Sequence, residues 1–210
     1  DGSSAVLVLG FESADHPLGP WIERAVELCR DHGGAVTSGP RLHEGDSTGQ
    51  AEGGAAAWRQ LFLQAPYLRD GLVALGAVVE TFETAITWDR FEATVERVLA
   101  AANGAVRDLC GAGSVTIRTT HAYVDGVAPY VTVVAPGRPG EQVRQWDAVK
   151  AAVSEVLLDA GATITHHHAV GRDHVPWYVQ QRPDLFGQVL AAAKRTLDPA
   201  GVLNPGVLGL

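Results

Sequence analysis

The chain has 210 residues, 16 Lys plus Arg against 24 Asp plus Glu, and a formal net charge of −8. That length suits one ordinary or large domain that needs no staple, and the acidic balance argues against a nucleic-acid binder, which presents a basic face to phosphates. No stretch of about 18 apolar residues occurs and no basic-then-apolar leader is visible, so neither a membrane span nor a signal peptide is expected; the start at Asp1 without Met reads as a boundary or processed end within something larger.

In chain order, Ala5 to Phe11 is a continuous apolar run that suits a buried strand. A helix follows from about Pro20 to His32, with Ile22, Ala25, Val26 and Cys29 on one face and Gly33-Gly34 as its stop. Ala35 to Ser38 could form a second short strand, and residues 39–57, rich in Gly and polar residues, read as a mobile loop. Trp58, Leu61, Phe62 and Ala65 mark a helix expected to end near Pro66, before a Val-rich strand over Leu72 to Phe82.

Thr87 or Asp89 can cap a long helix that runs to Cys110. The period then changes from 3.6 to 2, placing Val115, Ile117, Thr119, His121 and Tyr123 on one strand face. Asp125-Gly126 predicts a two-residue turn, with a return strand over Val127 to Val134. A helix over Glu141 to Ala160, a short strand over Ala162 to Thr165 and a last helix over Asp184 to Leu197 complete the chain. This order predicts an α+β fold: a ferredoxin-like antiparallel sheet with helices packed mainly on one face. Cys29 and Cys110 form no metal-type pair and read as buried thiols of a reducing compartment.

The sharpest chemical feature is His166-His167-His168. In an extended segment His166 and His168 would point one way and His167 the other. The run can serve catalysis, bind a metal through neutral imidazoles, or simply be solvated; no further ligands stand at a standard metal spacing, and His174 is a weak candidate. Tyr123, near the turn with His121 on its face, is either an aromatic rim residue or a phenol acting as acid or base with cations nearby to lower its pKa. Arg69 is either half of a surface ion pair with Asp70 or Glu80, or a guanidinium that grips a carboxylate or phosphate. No phosphate-cradling glycine motif follows any strand.

Taken in order, Pro66-Tyr67-Leu68-Arg69-Asp70, Glu80-Thr81-Phe82-Glu83-Thr84, Trp88-Asp89, Tyr123 before a hairpin, His166-His167-His168-Ala169-Val170-Gly171 and the tail from Asp198 to Gly206 form a pattern. It resembles the C-terminal substrate (cap) domain of alkyl-dihydroxyacetone-phosphate synthases and related FAD-linked oxidases of the vanillyl-alcohol-oxidase type. The resemblance covers essentially the whole chain as one cap domain, residues 1–210. It implies an enzyme whose N-terminal FAD-binding domain lies outside this chain and is its partner. It implies FAD as cofactor, held mainly by that missing domain. In the synthases the flavin N5 forms an adduct with an acylated ketone phosphate, and a fatty alcohol replaces the departing fatty acid without net redox change.

Carried over residue by residue, the resemblance makes Tyr123, His167 and His168 catalytic. It makes Arg69, His166 and His121 substrate-binding and Asn204 a cofactor contact, with no metal. It implies a small-molecule substrate, phosphorylated or lipid-like, and a cytoplasmic enzyme that could lie at a membrane surface; it leaves a homodimer open. Ala169 replaces the family's glycine, and Asp173 follows Arg172 where the family is more basic, which leaves a different substrate open. Related 2-hydroxy-acid dehydrogenases carry Glu-His-Gly at this place, and His167 stands where their Glu would be. A 2-hydroxy-acid dehydrogenase or oxidase cap is one alternative; a stand-alone metal- or ligand-binding α+β domain is another.

Overall fold

A computed structural model of the chain describes residues 5–42 and 54–210. The chain groups into two compact units, Asp1–Leu68 and Arg69–Leu210. In the first unit the helix α1 spans Gly19–Asp31, one residue out of register with its expected start, and its stripe of Ile22, Ala25, Val26 and Cys29 is half-buried. The apolar run Ala5 to Phe11 is not a strand, and neither is Ala35 to Ser38. A strand needs a neighbour to take its backbone hydrogen bonds, and no described segment pairs with either; Val6 is 91% exposed. Most of the expected loop, residues 43–53, lies outside the described residues. Its last four positions, 54–57, are already helical.

The helix α2 spans Gly54–Ala74 and contains Pro66, where an end was expected. Proline removes one backbone hydrogen bond and crowds the preceding turn, but good helix formers follow it (Leu68, Arg69, Leu72, Ala74), so the helix resumes. Arg69 therefore sits on a helix, exposed, and not in a connecting loop.

In the second unit β1 spans Ala77–Glu83, β2 Ile86–Thr87, β3 Ser114–Ala122 and β4 Gly126–Pro136. The long β4 is the centre of the sheet: it pairs antiparallel with β1 and then β2 along one side, and with β3 along the other. The helices α3, Trp88–Cys110, and α4, Gln142–Asp159, cover one face. Phe82, Val131, Val133 and Ala135 from the sheet meet Val98, Ala102 and Val106 of α3 and Val149, Val153 and Leu157 of α4 in one core. The expected α+β class is thus present, with an antiparallel sheet and two helices on one side.

The expected strand over Ala162 to Thr165 is absent as a regular strand. The segment lies beside the end of β1 and the link to β2 instead, where Thr163 N–H donates to the Ala85 carbonyl (3.0 Å) and His166 N–H to the Glu83 carbonyl (2.9 Å). Gly161, with φ 66°, supplies the left-handed residue that ends α4 and turns the chain toward this link. The helices α5, Val175–Gln181, and α6, Asp184–Leu197, follow. Trp177 of α5 is buried in the core, whereas Phe186, Val189 and Leu197, apolar residues spaced along one side of α6, are exposed. Amphipathic spacing identifies a face and does not say what covers it.

Along β1 the side chains alternate between faces, so Glu80 and Glu83, three apart, point to opposite sides. Glu80 points among the helices and meets Lys150 Nζ at 2.9 Å, with both side chains almost wholly buried; it does not pair with Arg69. The ammonium also lies 5.2 Å from the ring centroids of Phe82 and Trp146. Removing one partner of a buried pair strands the other charge, so Lys150→Met should destabilise the fold by about 3–5 kcal/mol. Adding Glu80→Gln should recover part of that loss. Urea unfolding of both variants checks this, and a Lys150→Met protein as stable as wild type would contradict it.

His174, at the start of α5, is buried with Nδ1 3.2 Å from the carbonyls of Ala169 and Val170. Burial, aided by the nearby Lys150 charge, holds its pKa below the ordinary 6.5. The folded state therefore binds the proton less readily than the unfolded state. The stabilisation is present above about pH 6.5 and is lost as pH falls from there through the lowered native value. His174→Gln, which keeps a donor and cannot charge, should show a flatter decline in unfolding free energy below pH 6.5; equal slopes in the two proteins would refute this.

Candidate active site

The face of the sheet opposite the helices carries a cluster of titratable side chains. Directly paired residues share a face, so Glu83, Tyr130 and Arg118 stand together on it. His121 joins them because of a β-bulge: Thr119 pairs with Pro129 and His121 with Ala128, which leaves Thr120 as the extra residue. Unbroken alternation would have put His121 on the same side as Ile117 and Thr119, as the sequence predicts; the bulge reverses it.

Tyr123 occupies the connection between β3 and β4. The expected two-residue Asp125-Gly126 turn does not form; the loop is Tyr123 to Asp125, and Gly126 already belongs to β4. Gly126 is needed for close approach, since a Cβ there would lie 2.5 Å from the Ile86 carbonyl oxygen. Tyr123 N–H donates to the Gly126 carbonyl at 2.7 Å, and the Tyr123 carbonyl accepts from the indole N–H of Trp88 at 3.0 Å. The first residue of α3 thus clamps the loop that presents the phenol.

The three histidines are not extended. His167 has φ 55°, and His168 N–H donates back to the His166 carbonyl at 2.7 Å, closing a tight turn. Non-glycine residues in this left-handed region carry strain and cluster at functional sites. The turn stacks the His166 and His167 rings with centroids 4.1 Å apart and brings His167 to 4.3 Å from His121. The Tyr123 hydroxyl lies 3.1 Å from His166 Nε2. His168 instead meets the ring of Tyr130 edge-on at 5.5 Å, and the Arg118 guanidinium covers Tyr130 at 4.1 Å.

At the base of the cluster is Glu83, 6% exposed. It accepts from the Thr120 hydroxyl at 2.7 Å, faces His166 Nδ1 at 3.2 Å and His121 Nδ1 at 3.4 Å through the same oxygen, and faces His168 Nε2 at 3.5 Å through the other. Burial pushes its pKa up, but the hydrogen bonds from Thr120 and His166 and the charges of His168 and His166 outweigh that and leave it below the ordinary value. Candidate ligand atoms of Glu83, His121, His166 and His167 also lie within 4.8 Å of one another, a spacing at which imidazole and carboxylate donors can share one divalent ion.

The structure therefore brings Tyr123, His121, His166, His167 and His168 into one place. Arg69 and Asn204 are not part of it: among the described residues neither makes a hydrogen bond or ion pair to the cluster. Asn204 is exposed, with φ 45°, in a tail held by other contacts. Asp198 accepts from the backbone of Val202 and Leu203 (3.0 Å each), and Arg172 donates to the Pro205 carbonyl at 2.8 Å. Sequence reasoning missed roles for Glu83 and Thr120. Two carboxylates three apart in one short strand, one on each face, were the available signal for Glu83; the bulge left none for Thr120.

The chain matches the family described as FAD linked oxidases, C-terminal domain, over residues 1–208. It is 23% identical over 148 residues to alkyldihydroxyacetonephosphate synthase of Dictyostelium discoideum, covering 70% of this chain and 24% of that protein. It is 27% identical over 158 residues to the synthase of Trypanosoma brucei brucei, covering 72% and 25%. A solved alkyldihydroxyacetonephosphate synthase structure superposes with a TM-score of 0.51 at 17% identity over 71% of this chain and 24% of that one, a likeness of fold. The chain spans about a quarter of the length of these relatives. With a family match over nearly its whole length, the chain belongs to the C-terminal domains of the FAD linked oxidases.

Proposed function

We propose that the chain is the substrate-side cap of an FAD-dependent enzyme of the alkylglycerone-phosphate-synthase kind, which exchanges an acyl for an alkyl group on dihydroxyacetone phosphate. Tyr123 is its acid/base. The observation that carries this is the 3.1 Å contact between the Tyr123 hydroxyl and His166 Nε2 inside a cluster of four imidazoles. A phenol is a poor base with its proton on; an adjacent imidazole can receive that proton, and further imidazoles stabilise the phenolate and an anionic substrate oxygen. His166, which the resemblance made substrate-binding, is thereby the direct partner of Tyr123. His121, His167 and His168 line the site. Arg69 is proposed to reach the substrate's anionic group, and Asn204 to contact the cofactor.

FAD, when bound, supplies the electrophilic ring that activates the substrate carbon. This chain fits a role beside the ring and not around the pyrophosphate. Its described residues include no glycine-rich turn leading from a strand into a helix, whereas the histidine cluster is half-exposed on an open sheet face. The FAD-binding part of the same protein is the proposed partner. The 210-residue chain mixed with FAD should accordingly leave gel filtration colourless; tight stoichiometric flavin would contradict that division of labour.

In the full-length enzyme, Tyr123→Phe keeps the ring and deletes one hydroxyl. Turnover should fall by about 10²–10⁴-fold, with fold and flavin content unchanged. His166→Ala should also slow the reaction, and the double variant should lose less than the product of the two, because the groups act as a unit. The assay supplies an acyl-dihydroxyacetone phosphate with a fatty alcohol and follows released fatty acid. A Tyr123→Phe enzyme that retains more than about a third of the wild-type rate, far above the loss expected for an acid/base, would sink the assignment. Flavin reduction by 2-hydroxy acids without exchange would favour the oxidoreductase reading.

A further inference from the structure

Glu83 is a single buried carboxylate facing three imidazoles and a hydroxyl. A nitrogen lone pair turned toward a carboxylate oxygen is repelled, so the ring nitrogen that faces Glu83 must carry the proton. For His166 that nitrogen is Nδ1, at 3.2 Å. The neutral ring then has its lone pair on Nε2, the atom 3.1 Å from the Tyr123 hydroxyl, and the phenol has to be the donor. If His166 carried its proton on Nε2, two hydrogens would compete for that contact and His166 could not accept from Tyr123. The direction of the Tyr123–His166 hydrogen bond is thus set on the far side of the ring.

We propose that Glu83 is the positioning residue of this site: it fixes the His166 tautomer and neutralises the imidazolium formed when Tyr123 gives up its proton. Thr120 secures Glu83 in turn. Its hydroxyl reaches Glu83 Oε1 at 2.7 Å only because the bulge turns that residue out of the β3 ladder. Tyr123, His166 and Glu83 form a phenol–imidazole–carboxylate chain, in which the buried anion orients the ring and stabilises its charged form without itself reacting. The inference rests on the acid/base reading of Tyr123 and adds to it a group that touches neither substrate nor cofactor.

The test uses the full-length, FAD-loaded enzyme. Glu83→Gln keeps size and shape but can turn an amide N–H toward Nδ1, which favours the opposite tautomer. It should lower kcat by about 10²–10⁴-fold while leaving KM near wild type, because the ring stays in place and only its proton moves. Glu83→Asp keeps the charge and should fall between Gln and wild type. Thr120→Val should cost about tenfold in kcat, the worth of one hydrogen bond to a charged group, and it tests the idea even if the Glu83 variants fold poorly. A Glu83→Gln enzyme with wild-type kcat overturns the proposal. So does a set of variants whose folded, flavin-loaded fraction turns over normally, since that is a structural role alone. A stoichiometric divalent ion found by elemental analysis in wild type and lost in Glu83→Gln overturns it too, by making Glu83 a metal ligand. Tyr123→Phe in the same assay separates the two levels. If it is impaired while Glu83→Gln is not, only the positioning role fails; if it is unimpaired, the acid/base reading and the positioning role fall together.

Discussion

A carboxylate kept out of water has to be surrounded by donors, and the open face of the sheet is arranged around that requirement at Glu83. One donor is a side-chain hydroxyl from a bulged residue, and the others are ring nitrogens from two separate segments. Each comes with a backbone irregularity: the extra residue at Thr120 in β3, and the left-handed His167 in the histidine turn. Both cost local regularity and are offset by charge-assisted hydrogen bonds, which are stronger than neutral ones. Such irregularities are found where a side chain must be re-aimed.

The same strand serves both faces. Glu80 and Glu83 are three residues apart on β1, and a pleated strand sends them in opposite directions. One carboxylate lies among the helices paired with Lys150, and the other lies under the histidines. The helix-side core, with β4 at its centre, holds the register that sets Glu83 opposite Tyr130 and keeps the Tyr123 loop against Trp88. Register is the link between packing and chemistry here, because a slip of one residue would exchange the two faces.

Much of the second unit is readable in order and in kind. The shift from a 3.6 to a 2 period near Cys110 marks the end of α3 and the start of β3, and the apolar positions of α4 fall where the core is. The ordered motifs around Arg69, Tyr123 and the histidine run point to the FAD linked oxidases, which the family match over residues 1–208 bears out. Less is readable in the first unit. Ala5 to Phe11 has the composition of a strand and no described partner, and Pro66 has the signature of a helix end inside a helix. Local signals set what a segment can become, while hydrogen-bond partners and neighbouring helix formers decide what it does become.

By itself the sequence determined the class of fold, the positions of α3, β3, β4 and α4, and which imidazoles and which phenol the chain has to place, because periodicity and residue chemistry are local properties. Only the tertiary structure decided which histidine meets Tyr123, that His121 lies on the open face, and that Glu83 lies beneath all of them. Those outcomes depend on one extra residue in β3, one positive φ at His167 and the register of β1 on β4. They are set by contacts between segments tens of residues apart, and no pattern within any one segment carries them.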